Sequence, residues 1–350
     1  MEQGSRREGG RSGRAGPAAA EGRDRRGRHN LPVPATPLIG RAGERRSVRG
    51  ALLDPRVRLV TLTGAPGIGK TRLALAVAAS LVRAFPDGVW FVSLAEVEDP
   101  GRVAPAIARA LKVRLTGRRP AGGALADHLR RCAVLLVLDN FEHLLGAAPL
   151  VAALLAAGPE VKALVTSRAA LRLCGERVFP VPPLTLPGPR LGTPEAMAAV
   201  DAVRLFVERA RALVDRFALT PQNAQAVAEV CRRLDGLPLA IELAAARIGV
   251  LPPGAMAGRL ERRLALLTGG PGDLPRRQQT LRGEIAWSYD LLDARERRLF
   301  QLLGLFAGGC TLEALEAVAP ATASSASSVQ PPAKSPSSWN RRRSRASRRS

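Results

Sequence analysis

The stretch RLVTLTGAPGIGKTRLALAVAASL, residues 58–81, constrains the fold of this chain more than any other. An apolar run rich in β-branched residues leads into a glycine-rich turn, and an apolar helical pattern follows the turn. A strand before such a turn and a helix after it are the context in which the pattern G-x-x-x-x-G-K-[ST] binds phosphate. The turn matches that pattern as Gly64, Ala65, Pro66, Gly67, Ile68, Gly69, Lys70 and Thr71.

The chemistry of phosphate binding explains the residue types in this turn. Glycines let backbone N–H groups wrap closely around phosphate oxygens, and the following helix presents the positive end of its dipole to them. Lys70 is one of only four lysines in a chain with 53 basic residues. Its compact ammonium can reach between the β- and γ-phosphates of a nucleotide, where the rigid fork of an arginine does not fit. Thr71 is predicted to ligate Mg²⁺.

Continuous apolar strands alternate with helical patterns over the first half of the chain. We predict strands at 58–63, 88–94, 132–140, 161–168 and 176–184. Strands of this kind are buried on both faces, so they predict a three-layer α/β domain with a parallel sheet over residues 30–190. A segment rich in proline and glycine then breaks the pattern. Helical patterns follow, the first over 195–214, and we predict a helical domain over 191–270 and a further helical region over 271–319.

Polar residues follow two of the predicted strands. Asp139 ends the strand AVLLVLD, where an acid can hold Mg²⁺ through water. The next residue, Asn140, cannot accept a proton, which argues against fast hydrolysis. Glu142 is the candidate to orient an attacking water, although a first-turn glutamate is also favourable without catalysis. Arg168, at the end of LVTSR, is the candidate γ-phosphate sensor, against the alternative of an ordinary surface arginine.

The net charge of +23 is concentrated unevenly along the chain. Residues 1–29 and 320–350 are basic segments rich in Gly and Arg or in Ser, Pro and Arg, and we expect both to be disordered. Basic tails can contact nucleic acid, although a solvated tail is the simpler interpretation. The chain has only 3% aromatic residues, and its globular part has no recognisable DNA- or RNA-binding motif.

Cysteine and hydropathy patterns exclude several other classes of protein. The four cysteines are far apart and form no CxxC pair, so we expect reduced thiols rather than disulfides or zinc ligands. The N-terminus has no apolar core of a signal peptide. The longest apolar stretch, residues 144–158, is too short to span a bilayer. We therefore expect a cytoplasmic protein with no membrane partner.

Several motifs occur together in a characteristic order. They are NLPVPATPLIGR (30–41), GAPGIGKTRLA, LLVLDNFEHL, ALVTSR, CRRLDGLPLAIELAAARI and LRGEIAWSYDLLDARERRLFQLLGLFAGG. Over residues 30–318 this set resembles the NB-ARC branch of the STAND signalling ATPases. It is most similar to the ATPase modules of large bacterial transcriptional regulators of the LuxR and antibiotic-regulatory types, in which Asn after the Asp is typical.

The resemblance implies an ATP/ADP switch with Mg²⁺, in which hydrolysis is slow and the ATP form can assemble into a homo-oligomer. It implies that Pro238 of the GLPL motif contacts the nucleotide from the helical domain, and that 271–319 is a partial winged-helix domain with Ile285, Trp287, Leu291 and Leu292 in its core. DNA would be contacted only through effector domains that this chain lacks. The implied nucleotide-binding set is the eight residues of the turn together with Ile39, Gly40, Arg41, Arg72 and Pro238.

The resemblance ends near Val318, and a Ser/Pro/Arg-rich tail follows. We expect that the chain is a truncated or frameshifted product. Three functions remain open at this point: a regulatory ATPase module that hydrolyses weakly, a nucleic-acid-binding ATPase, and a nucleotide-binding scaffold that does not hydrolyse. The candidate catalytic residues are Lys70, Asp139, Glu142 and Arg168, and the candidate Mg²⁺ ligands are Thr71 and Asp139.

Overall fold

The structure is a computed structural model. It describes residues 28–115, 119–188, 193–260, 266–270, 279–306 and 310–318. Nearly all of the predicted basic N-terminal segment and the whole of the predicted tail lie outside these ranges.

The centre of the fold is a parallel sheet of five strands, which confirms the predicted architecture. The order across the sheet is β2-β3-β4-β1-β5, so β4 lies between the strand that precedes the glycine-rich turn and the strand that ends at Asp139. β1, β3 and β4 are buried along their whole length, as their continuous apolar sequences require, while β5 is a largely exposed edge strand. The strands are β1 (Leu59–Thr63), β2 (Gly88–Ser93), β3 (Val134–Asp139), β4 (Lys162–Thr166) and β5 (Glu176–Pro180).

Helices cover both faces of the sheet. Because side chains alternate along a strand, Leu135 and Val137 of β3 pack on the side of α1 and α2, whereas Leu136 and Leu138 pack against α3, α4 and α5. The sheet is therefore the middle of three layers. These helices are α1 (Ala42–Leu53), α2 (Lys70–Leu81), α3 (Val103–Leu111), α4 (Ala121–Leu129) and α5 (Ala148–Ala157), with 3-10 turns at Val82–Ala84, Pro100–Arg102, Phe141–His143 and Leu145–Ala147.

After β5 the described chain is helical. The predicted helix over 195–214 is interrupted at residues 199–200, which separate a short first helix from a longer second one. A second apolar core forms between these helices, and it includes Ile39 and Leu184 from segments beside the sheet. The helices are α6 (Pro194–Ala198), α7 (Asp201–Arg211), α8 (Pro221–Arg233), α9 (Pro238–Ala245) and α10 (Pro253–Arg259).

The last described helices are α11 (Leu281–Asp290), α12 (Ala294–Leu303) and α13 (Leu312–Val318). The expectation that Ile285 and Leu291 are core residues is wrong, because each side chain is 39% exposed. Among the described side chains of α11 the buried one is instead that of Glu284, and Leu292, just after the helix, is only half-buried. The side chain of Trp287 lies outside the description. Glu284 lines a cleft between the sheet and the helices that follow it.

The four cysteines are free thiols, in agreement with the expectation of no disulfides. Cys231 is buried in the helical core, and burial raises the pKa of its thiol to about 12. Among the residues that the structure describes, none of the helices is long and apolar enough to cross a bilayer.

Candidate functional site

The glycine-rich turn lies at the carboxyl end of the central strand β1, where it connects directly to α2. Its glycines take backbone conformations that other residues rarely adopt, with φ of 146° at Gly64, 71° at Gly67 and 92° at Gly69. Gly69 is also the N-cap of α2 and has no side chain to occupy the helix N-terminus. The first turn of α2 therefore presents unblocked N–H groups to the turn, which is the arrangement that binds phosphate.

Lys70 is the first residue of α2 and is 9% exposed. Its ammonium donates to the carbonyl oxygens of Gly64 at 2.8 Å and Ala65 at 3.1 Å. Burial lowers the pKa of Lys70, while the negative charge of Glu142 acts in the opposite direction. A buried ammonium held by neutral carbonyls is stabilised further by an anion, so this position fits a phosphate group.

The carboxylate of Asp139, at the end of β3, joins the end of β4 to the first turn of α2. Oδ1 accepts hydrogen bonds from the hydroxyls of Thr71 at 2.7 Å and Thr166 at 2.6 Å. The Thr166 hydroxyl also accepts from the backbone N–H of Asn140, at 2.9 Å. Burial raises the pKa of Asp139, and the hydrogen bonds from Thr166 and Thr71 oppose that effect.

The two predicted Mg²⁺ ligands, Thr71 and Asp139, are thus in direct contact. A buried carboxylate beside a hydroxyl and the phosphate-binding turn is a suitable donor set for Mg²⁺, which takes oxygen ligands and keeps several waters. Thr166 was not among the predicted site residues, although it belongs to the LVTSR segment, and its hydroxyl is a second hydrogen-bond donor to Asp139.

Glu142 and Arg168 lie together as an ion pair, with Arg168 Nε 3.4 Å from Glu142 Oε1. The Glu142 side chain is 7% exposed and lines the cleft. Its second oxygen, Oε2, is buried and accepts no hydrogen bond from the part of the chain that the structure describes. Arg168 also donates from Nη1 to the carbonyl of Ser288 on α11, at 3.4 Å. Arg168, the predicted γ-phosphate sensor, therefore contacts both Glu142, which follows β3, and Ser288 on α11.

The helical segment closes directly on the glycine-rich turn. The backbone N–H of Leu239, in the first turn of α9, donates to the carbonyl of Gly67 at 3.2 Å. A Cβ built at Gly67 would lie 3.0 Å from the Cβ of Leu239, so the two backbones approach closely. Pro238 lines the same cleft. The GLPL motif therefore lies against the phosphate-binding turn, on the side from which the resemblance implies contact with the nucleotide.

The segment Leu38-Ile39-Gly40-Arg41 forms another wall of the cleft. Arg41 is 5% exposed; it donates to Glu44 at 3.0 Å and to the carbonyl of Ile68 at 3.2 Å, which ties this segment to the turn. Ile39 packs into the helical core. Gly40 has a φ of 69° and faces the Asp201 side chain rather than the cleft.

A charged junction that was not predicted from the sequence also lines the cleft. Oε1 of Glu242, on α9, accepts from Arg72 at 3.3 Å and from Arg209 at 3.0 Å. Both arginines also donate to the hydroxyl of Thr36, at 2.9 and 3.0 Å. The junction joins α2, α7, α9 and the N-terminal segment. In the sequence, Glu242 is marked only by its position shortly after the GLPL motif. That position does not reveal which residues contact its side chain.

These elements enclose a cleft of about 580 Å³. That volume is in the range of small-molecule sites. Three carboxylates are among the lining residues at the phosphate end, and one of them, Glu284, comes from α11. Of the predicted nucleotide-binding set, ten residues line the cleft: Ile39, Arg41, Pro66, Gly67, Ile68, Gly69, Lys70, Thr71, Arg72 and Pro238.

Replacing Glu242 with glutamine should lower the free energy of unfolding by about 1–2 kcal/mol, because two partly buried arginines lose their shared carboxylate. Urea unfolding followed by circular dichroism measures the change. Glu229→Gln is the matched control: Glu229 also pairs with two arginines, but both belong to its own helix, three and four residues along the chain. Glu229→Gln should lower the free energy of unfolding by less than about 1 kcal/mol. Equal costs for the two variants would contradict the assignment of Glu242 as a tertiary junction.

Part of the chain matches a known family model. The model described as "AAA domain" matches residues 56–172, which run from just before β1 to just beyond β4. The chain is 16% identical to a STAND protein with a tetratricopeptide repeat sensor from Pyrococcus horikoshii, with a TM-score of 0.42, over 80% of this chain and 36% of that one.

Two mycobacterial relatives are more similar in sequence. The Mycobacterium tuberculosis H37Rv protein named "Putative HTH-type transcriptional regulator Rv0890c" is 43% identical over 264 residues, which cover 75% of this chain but only 28% of that protein. "Uncharacterized protein Rv0894" of the same strain is 40% identical over 291 residues, which cover 83% of this chain and 70% of that protein. The chain therefore belongs to the family of Rv0894, and it carries an AAA-type P-loop nucleotide-binding domain.

Proposed function

We propose that the protein is an ATP/ADP-binding regulatory switch of the STAND type, with slow Mg²⁺-dependent ATP hydrolysis, and that it serves transcriptional regulation. The observation that carries the proposal is the hydrogen bond between Leu239 of α9 and the carbonyl of Gly67 in the P-loop. A loop that wraps phosphates and also bonds to a neighbouring helical segment couples the bound nucleotide to the position of that segment. Such a coupling is the physical requirement of a ligand-driven switch.

The charged junction of Glu242 with Arg72 and Arg209 adds a second link between α9 and the helix that follows the P-loop. Arg72 follows the P-loop threonine directly, and it contacts Glu242 on the same helix that carries Pro238 and Leu239. A rearrangement of α9 therefore has to break both the contact of Leu239 with Gly67 and the contact of Glu242 with Arg72. Discrete packed arrangements of this kind give two-state behaviour rather than gradual deformation.

The regulatory part of the proposal rests on the relatives. The name of Rv0890c describes a putative HTH-type transcriptional regulator, and the match spans about a quarter of that protein. We infer that this chain corresponds to the nucleotide-binding portion of such a regulator, located in the cytoplasm. The NB-ARC-like division into an α/β domain, a helical domain and a partial winged-helix domain belongs to the same proposal.

Slow hydrolysis follows from the residues beside Asp139. Asn140 has a φ of 65° and its side chain cannot act as a base. Glu142 offers a buried carboxylate oxygen to the cleft, but its other oxygen is paired with Arg168. The pairing with Arg168 holds this carboxylate in a fixed position, which suits the orientation of a water molecule.

Glu142→Gln should lower the ATPase rate by about tenfold to a hundredfold. Arg168→Ala should also lower it, because Glu142 loses its partner. Phosphate release under single-turnover conditions measures both rates. Glu160→Gln, a change at an exposed acid before β4, is the control and should leave the rate unchanged. If neither Glu142→Gln nor Arg168→Ala altered a measurable ATPase rate, the result would favour a nucleotide-binding scaffold. These two residues would then have no catalytic role.

The first test of the switch is the nucleotide content of the purified protein. Denaturation followed by ion-exchange chromatography of the supernatant should release close to one equivalent of ADP, because the cleft is closed by α9 and α11. Protein that contains no nucleotide and binds neither added ADP nor added ATP would overturn the proposed function.

A further inference from the structure

The loop that carries Arg168 connects β4 to β5 and is fixed where it leaves β4. Its residues, 167–175, form neither helix nor strand. Ser167 is fully buried, and its backbone N–H donates to the carbonyl of Leu62 on β1 at 3.0 Å. The Ser167 hydroxyl accepts from the backbone N–H of Ala169 at 3.3 Å. Arg168 therefore follows a residue whose position is set by the central strand.

The other end of the loop is held by the carboxylate of Glu176, the first residue of β5. Its Oε1 accepts from the backbone N–H of Leu171 at 2.9 Å. Its Oε2 accepts from the backbone N–H of Arg172 at 2.8 Å and from that of Leu173 at 3.4 Å. The backbone N–H of Glu176 donates in turn to the carbonyl of Leu173 at 3.1 Å. One carboxylate thus accepts from three consecutive N–H groups, and such charge-assisted bonds are stronger than bonds between neutral groups.

The conformation of this turn explains why it depends on Glu176. Arg172 has a φ of 58°, in the left-handed region that residues with a Cβ rarely adopt. Leu171, directly before it, is buried in the core that the sheet shares with α3, α4 and α5. A strained residue persists only where its surroundings hold it. The Glu176 carboxylate provides that hold, because it accepts from the N–H groups of both residues.

Arg168 lies between these two fixed points, and Leu171 is three residues further along the chain. The Arg168 guanidinium pairs with Glu142, which lines the cleft. The backbone of the loop determines where the Arg168 side chain begins, so a change in the turn moves the guanidinium relative to Glu142. A displacement of about 1 Å at a reacting site can lower a rate about a hundredfold. Glu176 does not itself line the cleft, so its effect on chemistry there is indirect.

We propose that Glu176 is a positioning residue for Arg168, because its carboxylate fixes the loop that brings the guanidinium to Glu142. This inference rests on the proposed function, in which Arg168 and Glu142 support ATP hydrolysis. Glu176 acts on the rate through Arg168 and has no contact with the nucleotide. Its removal therefore slows hydrolysis without weakening nucleotide binding.

The test is a double-mutant cycle on the single-turnover rate of ATP hydrolysis by the full chain. Glu176→Gln keeps the size of the side chain but replaces one acceptor oxygen with a donor, so the rate should fall about tenfold. Arg168→Ala should lower the rate as well. The double variant should be no slower than Arg168→Ala alone, because two changes that act through one group are not additive. The dissociation constants of ADP and of a non-hydrolysable ATP analogue should stay within about twofold of the wild-type values in Glu176→Gln.

Asp87→Asn is the matched control for a carboxylate that binds the backbone. Asp87 accepts from the backbone N–H of Ala133 at 2.9 Å, but it lies just before β2, at the amino ends of the strands. Asp87→Asn should lower the thermal stability and leave the rate unchanged. Glu176→Asp keeps the charge on a shorter side chain and should give an intermediate rate. It takes the place of Glu176→Gln in the cycle if that variant does not fold.

The outcomes separate this inference from the proposed function. A folded Glu176 variant with the wild-type rate, or a double variant clearly slower than Arg168→Ala, would overturn the inference and leave the proposed function intact. A wild type that binds nucleotide without hydrolysing ATP, or an Arg168→Ala variant with the wild-type rate, would overturn the hydrolytic part of the proposed function and, with it, this inference.

Discussion

Lys70→Ala should lower the affinity of the protein for ADP and ATP by about 10²–10³-fold, because the phosphates lose the one buried ammonium at the end of the P-loop. The present partners of that ammonium are backbone carbonyls of the loop, at 2.8 and 3.1 Å. The charge of Lys70 is therefore held at the loop and is available to an anion. Titration with fluorescent nucleotide, together with analysis of the nucleotide that copurifies, measures the loss.

The chain offers a close control for this substitution. Lys162 is also 9% exposed, and its ammonium also donates to a backbone carbonyl, that of Asp54 at 2.6 Å, but it lies outside the cleft. Lys162→Ala should lower the thermal stability and leave nucleotide affinity unchanged. A Lys70→Ala variant that binds nucleotide as tightly as the wild type would refute the assignment of the phosphate site.

Gly236→Ala should lower the free energy of unfolding by about 2–4 kcal/mol. Gly236 precedes the LPL of the GLPL motif and has a φ of 67°. A Cβ at this position would lie 2.6 Å from the carbonyl oxygen of Leu184, a backbone atom that cannot move aside easily. The cost combines a left-handed conformation, about 1–2 kcal/mol for an L-residue, with the displacement of the neighbouring backbone. Equilibrium urea denaturation provides the measurement.

Gly254→Ala is the control for the glycine prediction. Gly254 lies in α10 and has open space around the position of a Cβ. Alanine should stabilise the protein there by about 0.5–1 kcal/mol, because glycine is the poorer helix former. If Gly236→Ala were as well tolerated as Gly254→Ala, the close approach of the GLPL turn to Leu184 would have to be rejected.

Much of the α/β part could be predicted because its signals are local. β1, β3 and β4 are buried on both faces, so they appear in the sequence as unbroken apolar runs. The P-loop is a local motif whose glycines take positive φ, and this requirement is visible in residue identity alone. The contact between Thr71 and Asp139 could also be anticipated, since parallel strands place their carboxyl ends at one edge of the sheet.

The features that were missed depend on residues distant in the chain. Glu242 contacts Arg72, 170 positions away, and no periodicity encodes that pairing. Ile285 was expected in the core because of the resemblance to a winged-helix domain, yet it is exposed while its neighbour Glu284 is buried. Hydrophobicity describes what a side chain favours on average. Which face of a helix is covered depends on the elements that pack against it.

The sequence by itself therefore determined the phosphate-binding chemistry: a strand, a glycine-rich turn, Lys70 and Thr71 in adjacent positions, and an acid at a strand end. Only the tertiary structure decided how that site is closed. The contacts of Leu239 with the P-loop, of Glu242 with Arg72 and of α11 with Arg168 join segments separated by more than a hundred residues. Such contacts depend on the packing of whole elements, because each interacting group is ordinary in its own local sequence.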